Sequence, residues 1–186
     1  MSRKTSSIAA AGIIAAAVVL SGFCIYKDNH QKNSTDGTIT LRMAQTSSQT
    51  GAIGQSMDAF ADRIYDETGG KYKIETYHNG QLGAEIDTIE GCQMGTIDIA
   101  VVNQSTIGNF INDFQALDVP YLITSTEQAD AVFLGDIGTR FLDKLSGVQL
   151  YGLGIWESGF RNLTNSKRDV NSVDDVAGLK IRTMEN

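Results

Sequence analysis

The chain has 186 residues, 41% hydrophobic, 20% charged and 8% aromatic, with 22 acidic against 15 basic residues and a formal net charge of −7. That apolar share suffices for a packed core and excludes wholesale disorder, while an acidic balance without any basic run argues against nucleic-acid binding. One proline and two cysteines, Cys24 and Cys92, exclude a disulfide framework.

At the start, Arg3 and Lys4 precede an apolar, charge-free run from Ile8 to Leu20, the layout of an export signal. Residues 1–26 are therefore set apart as a signal or anchor segment, and the remainder carries a net charge of −9. Three fates compete for the segment. Cys24 stands where a bacterial lipoprotein is cut and lipidated, although Ser21 and Phe23 make a poor lipobox. The uncharged stretch from Ile8 to Tyr26 is also just long enough for an uncleaved span, which needs about 20 residues. Simple cleavage ranks third, because no small-x-small site follows. All three place the rest of the chain outside the cytoplasmic membrane, in the periplasm or on the membrane's outer face. Residues 27–37 are polar, lack apolar periodicity and read as a tether.

From Thr38 onward strands and helices alternate. Ile39, Leu41 and Met43 alternate with polar neighbours as in a strand. Ile53, Met57, Phe60, Ala61 and Ile64 recur at helical spacing, and Gly69-Gly70 supplies a stop. Tyr72 to Tyr77 is a second strand. Ala84 to Met94 is a second helix, with Ile86 and Ile89 facing inward and Gly95 as its cap. Ile97 to Val102 has the continuous apolar character of a strand buried on both faces. Thr126 to Leu145 reads as one long helix carrying Ala129, Phe133 and Ile137 on a stripe. Val148 to Ile155 reads as a strand, Ser172 to Val176 as a short capped helix, and Leu179 to Thr183 as a closing strand. This alternation predicts an α/β fold with a parallel sheet. A stop at Asn186, directly after an apparent strand, suggests a fragment.

No catalytic constellation emerges. His30 falls in the tether and His78 in a turn-like YHNG segment, and nothing supplies the two to four ligands of a zinc site. No nucleophile elbow, phosphate loop or dinucleotide fingerprint is present; Gly152-Leu153-Gly154 lacks its third glycine. Cys92 with His78 would be a nucleophile and base only if the thiol were accessible, and its place in a helical pattern reads as a buried, inert thiol. Asp174 and Asp175 read as negative charge in a first helical turn. The chain is expected to be no enzyme and to need no cofactor or metal.

Four motifs carry a resemblance: His78-Asn79-Gly80-Gln81-Leu82-Gly83, Gly95-Thr96-Ile97-Asp98-Ile99, the segment Glu157 to Asn165 (ESGFRNLTN), and Gly178-Leu179-Lys180-Ile181-Arg182. In this order and spacing the chain, from about Ile39 to Asn186, resembles the DctP-type solute-binding proteins of tripartite ATP-independent periplasmic (TRAP) transporters. The resemblance implies a periplasmic-binding-protein-like clamshell of two α/β lobes that captures a small organic acid, a dicarboxylate or a sugar acid. It also implies delivery of that acid to a permease of one small and one large membrane subunit. In the family the arginine matching Arg182 holds the ligand carboxylate, and the one matching Arg161 assists. A guanidinium suits that role, since its planar fork meets a carboxylate with two parallel hydrogen bonds. Asn103 follows the Ile97–Val102 run, where the family often places a polar or acidic contact. Gln45 after the first strand and Glu85 opening the second helix hold comparable loop positions, with a turn or cap role as the alternative for each. Trp156 packs between lobes or stacks on a ligand.

On this reading residues 38–155 form a first, incomplete lobe, and residues 156–186 cross a hinge and begin the second. Members of the family continue well beyond the strand that carries Arg182, so the resemblance implies that these 186 residues are a front half. Two rivals remain open: a binding protein of another transporter or chemoreceptor system, and an exported enzyme whose catalytic part is not in this sequence.

Overall fold

In Ile39–Ala44 (β1), polar residues alternate with apolar ones, and Leu41 and Met43 are buried. The computed structural model describes residues 37–160 and 162–182, so the export segment, Cys24 and nearly all of the tether lie outside the described residues. β1 is the middle strand of a three-stranded parallel sheet, ordered β2-β1-β3. Its partner β2 (Tyr72–Tyr77) pairs along its whole length, Ile39 opposite Tyr72 and Ala44 opposite Tyr77. Because alternate side chains share a face, Leu41, Met43, Tyr72 and Ile74 present one apolar surface.

The connecting helix α1 (Ala52–Glu67) covers that surface. Met57, Ala61 and Ile64 recur at four- and three-residue spacing and are buried with the sheet residues, and Phe60 packs at the margin. Met57 is completely buried, a placement worth about 1.5–3 kcal/mol in transfer free energy for a side chain of its size. The helix stops as expected. Thr68 Oγ1 donates to the Ile64 carbonyl at 2.7 Å, and Gly69 and Gly70 take left-handed φ of 59° and 79°, which glycine adopts at little cost.

The second helix, α2 (Glu85–Gln93), starts where the Asp87 carboxylate accepts the Ala84 N–H at 2.7 Å. It packs against the short third strand β3 (Ile99–Ala100). Ile89 is buried, but Ile86 is 36% exposed and faces away from the core. Left-handed Gly95 ends the turn that follows α2, where the Thr96 N–H donates back to the Gly91 carbonyl at 2.8 Å.

β3 is shorter than the apolar run from Ile97 to Val102 predicts, and only half-buried. Among the described residues it pairs with β1 alone, Met43 opposite Ile99 and Ala44 opposite Ala100. Asp98 supplies the first rung in another way: its carboxylate accepts the Arg42 N–H at 2.7 Å, while its own N–H donates to the Arg42 carbonyl.

Beyond β3 come the single-turn helix α3 (Gln104–Ile107) and a 3₁₀ helix over Asn112–Asp118. The expected long helix from Thr126 to Leu145 is two helices, α4 (Thr126–Phe133) and α5 (Asp136–Lys144). Gly135 and Gly138 are the cause, a Cβ on Gly135 standing 2.6 Å from the Ala131 carbonyl oxygen. Gly135 takes an extended conformation, and a Cβ on Gly138 would stand 1.9 Å from the Phe133 carbonyl oxygen, so the two helices meet at a corner that only glycine permits. The break also throws the apolar stripe out of phase: Ala129 is buried, whereas Ile137 is 41% exposed. Phe141 of α5 meets Phe114 edge-to-face with ring centroids 5.0 Å apart, and Lys144 pairs with Asp113 at 2.6 Å.

The strand expected over Val148 to Ile155 does not form. Leu145–Val148 is a 3₁₀ turn, Gln149 is left-handed, and Tyr151 and Leu153 are exposed. A strand persists only where a neighbour accepts its backbone hydrogen bonds, and no strand among the described residues lies alongside. The same holds for residues 179–182 of the expected closing strand; its last residue, Thr183, lies outside the described residues. The expected capped helix is a single 3₁₀ turn, Val173–Val176. Asp175 closes its start, accepting the backbone N–H groups of Asn171 and Ser172 and the Ser172 hydroxyl. The Ser172 hydroxyl, then those two N–H groups, hold the Asp175 carboxyl below its ordinary value.

Candidate functional site

In an open parallel sheet the loops beyond the carboxyl ends of the strands converge, and polar groups collected there are free to meet a ligand. Three of the expected site residues sit at that end. Gln45 directly follows β1, Asn103 follows β3, and Glu85 is the first residue of α2, after the β2–α2 loop. The loops are bonded together. The Gln45 N–H donates to the Tyr77 carbonyl at 2.9 Å, the Asn79 N–H to the Ser47 carbonyl at 2.9 Å, and the Gly80 N–H to the Gln45 carbonyl at 3.1 Å. Asn79 and Gly80 both have left-handed φ, which turns the His78–Gly83 loop back over the end of β1.

Glu85 is the hub of one polar cluster. Its Oε1 accepts from Asn103 Nδ2 at 2.5 Å and from Thr46 Oγ1 at 3.3 Å. Its Oε2 accepts from Thr106 Oγ1 at 2.5 Å and from the Asn103 backbone N–H at 3.1 Å. One carboxylate thus ties together the ends of β1 and β3 and the start of α3. Charge-assisted bonds of this kind are roughly twice as strong as neutral ones.

Gln45 belongs to a second cluster, which the sequence did not disclose. The residue is 2% exposed. Its Nε2 lies 2.7 Å from His78 Nδ1, and His78 Nε2 lies 3.0 Å from Asp58 Oδ1 of α1. Thr76 Oγ1 donates to the same Asp58 oxygen at 2.8 Å and Gln49 Nε2 to the other at 3.0 Å. The Gln49 bond foremost, then those from Thr76 and His78, hold the Asp58 carboxyl below its ordinary value of 3.8 against the opposing effect of partial burial. Gln45 Oε1, on the other side of the amide, is buried without a hydrogen-bond partner among the described residues. The only sequence signal for this cluster is that His78, like Gln45, directly follows a strand.

Cys92 is half-buried, not buried as the sequence reading had it. Cys92 lies on α2, and burial, followed by the negative charge of Asp98, pushes its thiol up to about 12, far from a reactive thiolate. Both ring nitrogens of His78 are engaged by Gln45 and Asp58. Among the described residues no cluster of His, Cys, Asp or Glu could hold a metal ion, and no helix is long and apolar enough to cross a membrane.

The two arginines are placed differently. Arg182 is exposed in an irregular segment, two residues beyond Lys180, and Arg161 lies outside the described residues. Trp156, between them and the sheet in sequence, is 47% exposed.

Residues 43–186 match the family model of DctP, the bacterial extracellular solute-binding protein, family 7. The chain belongs to this family. A solute-binding protein of Verminephrobacter eiseniae is 39% identical over 147 residues, covering 79% of this chain and 44% of the relative. The C4-dicarboxylate-binding protein DctB of Bacillus subtilis is 31% identical over 161 residues, covering 87% of this chain and 46% of its own length. A TRAP periplasmic solute-binding protein from Polaromonas sp. JS666, solved bound to D-erythronate, superposes with a TM-score of 0.76 at 36% identity, covering 80% of this chain and 49% of that one. The chain therefore spans about half the length of the relatives it matches. These relatives are binding proteins and not enzymes, in accord with the expectation drawn from the sequence. Membership in the DctP family also agrees with the α/β class expected from the alternating elements.

Proposed function

We propose that this protein is the extracytoplasmic solute-binding subunit of a TRAP transporter, capturing a small organic acid and delivering it to a permease of small and large membrane subunits. The observation that carries the reading is the meeting of Gln45, Asn103 and the Glu85 hub at the carboxyl ends of three parallel strands, in a chain of the DctP family. Relatives that bind a C4-dicarboxylate and D-erythronate support an organic-acid ligand.

In this proposal Arg182 clamps the ligand carboxylate and Arg161 assists, while Gln45 and Asn103 contact the rest of the molecule. Glu85, with both oxygens engaged by protein donors, acts one step back by holding Asn103. Residues 38–155 supply the first lobe and the chain from Trp156 onward begins the second, which closes over the ligand. The export segment holds the protein at the outer face of the membrane, by lipidation at Cys24 or as an uncleaved helix. Micromolar capture needs about −8 kcal/mol. A bidentate arginine provides orientation and part of that, and water exclusion on closure strengthens it.

The test is calorimetric titration of the full-length protein with D-erythronate, succinate and a neutral polyol of similar size. Micromolar binding of at least one acid and none of the polyol is expected. Failure of both acids to bind, or equal binding of the polyol, overturns the reading.

A further inference from the structure

The two amide side chains at the strand ends are oriented the same way, by different means. Asn103 Nδ2 faces Glu85 Oε1. A carboxylate only accepts, so it fixes the nitrogen end of that amide toward itself. Gln45 Nε2 faces His78 Nδ1. An imidazole that gives its Nε2 proton to Asp58 keeps Nδ1 as an acceptor, so it too must be met by an amide NH₂. Each amide is therefore turned nitrogen-inward by a carboxylate, directly at Glu85 and through an imidazole at Asp58.

What each leaves over is an oxygen. Gln45 Oε1 is buried without a partner among the described residues, and Asn103, half-buried just before α3, makes no side-chain cap bond to that helix. A buried acceptor without a donor is costly to leave so, and a group that supplies the donor is selected for. The two oxygens belong to residues at the ends of neighbouring strands, and Thr46, next to Gln45, shares the Glu85 carboxylate with Asn103.

We infer that the site reads hydroxyl groups: Gln45 and Asn103 are oriented as hydrogen-bond acceptors by His78–Asp58 and by Glu85, which selects a hydroxylated monocarboxylate over a plain dicarboxylate. The inference rests on the organic-acid reading above and narrows its ligand class. A hydroxyl donates to these oxygens, whereas the second carboxylate of a plain dicarboxylate is itself an acceptor and meets them with repulsion. His78, Asp58 and Glu85 are positioning residues that act through the two amides.

Titration of the full-length protein with D-erythronate and succinate, in the wild type and in Gln45→Met and Glu85→Gln, tests this. In the wild type D-erythronate is expected to bind at least about tenfold tighter than succinate, the scale of an unmade hydrogen bond in a closed site. Gln45→Met removes one acceptor, and Glu85→Gln lets the Asn103 amide turn over. Each should cut that ratio several-fold, by weakening D-erythronate and by easing the repulsion that the second carboxylate of succinate meets. A purely structural role would weaken both ligands together and leave the ratio intact, which overturns the positioning roles. Succinate binding as tightly as D-erythronate to the wild type overturns the inference but leaves the organic-acid reading standing, and requires no variant to fold. Binding of neither acid removes both.

Discussion

Asp58, a charged residue of α1, is a junction in the structure, receiving Gln49, Thr76 and His78. Its carboxyl is lower in the folded protein than its ordinary 3.8. The stabilisation this brings is fully present above the ordinary value, and it drains away as pH falls through the lowered one. Asp58→Asn should therefore be less stable than wild type at neutral pH, with the gap closing only as pH falls below the ordinary 3.8 and through the lowered value. Thermal melts across that range read the effect directly, and parallel curves for the two proteins would refute it. His78 shows why single residues resist reading from sequence. Its loop position was legible, but not that its ring joins Asp58, 20 residues earlier, to Gln45, 33 residues earlier. Such pairings depend on the register of β1 with β2, which no local pattern encodes. Cys92 was legible as a helix residue, but it is half-buried rather than buried.

At the level of elements, periodicity succeeded where the chain makes its own partners. β1, α1 and β2 form one unit whose apolar faces match, so alternation in the strands and three- and four-residue spacing in the helix told the truth. It failed where backbone or neighbours decide: at the Gly135 corner that divides α4 from α5, and in the apolar run after Val148, which finds no strand beside it among the described residues. Glycine matters at the start of α1 as well. A Cβ on Gly54 would lie 2.4 Å from the Gln49 carbonyl oxygen and 2.5 Å from that of Ser48. Those contacts are to backbone and cannot be relieved by a rotamer change. Helix propensity alone favours alanine over glycine by about 1 kcal/mol, yet Gly54→Ala is expected to destabilise by about 1–3 kcal/mol, the usual cost of overpacking. Since Gln49 also bonds Asp58, displacement of this loop should loosen the junction below Gln45. Urea unfolding decides between the two effects: a raised midpoint would mean that the loop yields easily and that propensity governs.

Over the whole molecule, the sheet and the polar groups at its carboxyl end were anticipated better than the segment carrying the arginines. Gln45, Asn103 and Glu85 were named from the family resemblance, and only their places after strands and at a helix start follow from the order of elements. Arg182 was named from its motif, Gly178-Leu179-Lys180-Ile181-Arg182, and its expected strand does not form among the described residues. The motif nevertheless makes a sharp prediction, because it contains a second cation. Lys180 and Arg182 are both exposed, and reversing either changes the net charge by the same amount. Were attraction of an acid a matter of overall field, Lys180→Glu and Arg182→Glu would weaken binding alike, and added salt would erase much of the difference from wild type. A bidentate clamp behaves otherwise. Arg182→Glu removes the fork and sets an anion against the ligand carboxylate, so D-erythronate affinity should fall at least about a hundredfold, since one truncated charge pair is worth some 2–5 kcal/mol. Lys180→Glu should stay within about threefold of wild type, the scale of an exposed ion pair. Titration of the full-length variants at two ionic strengths separates the cases, and equal losses from the two reversals would take the clamp away from Arg182.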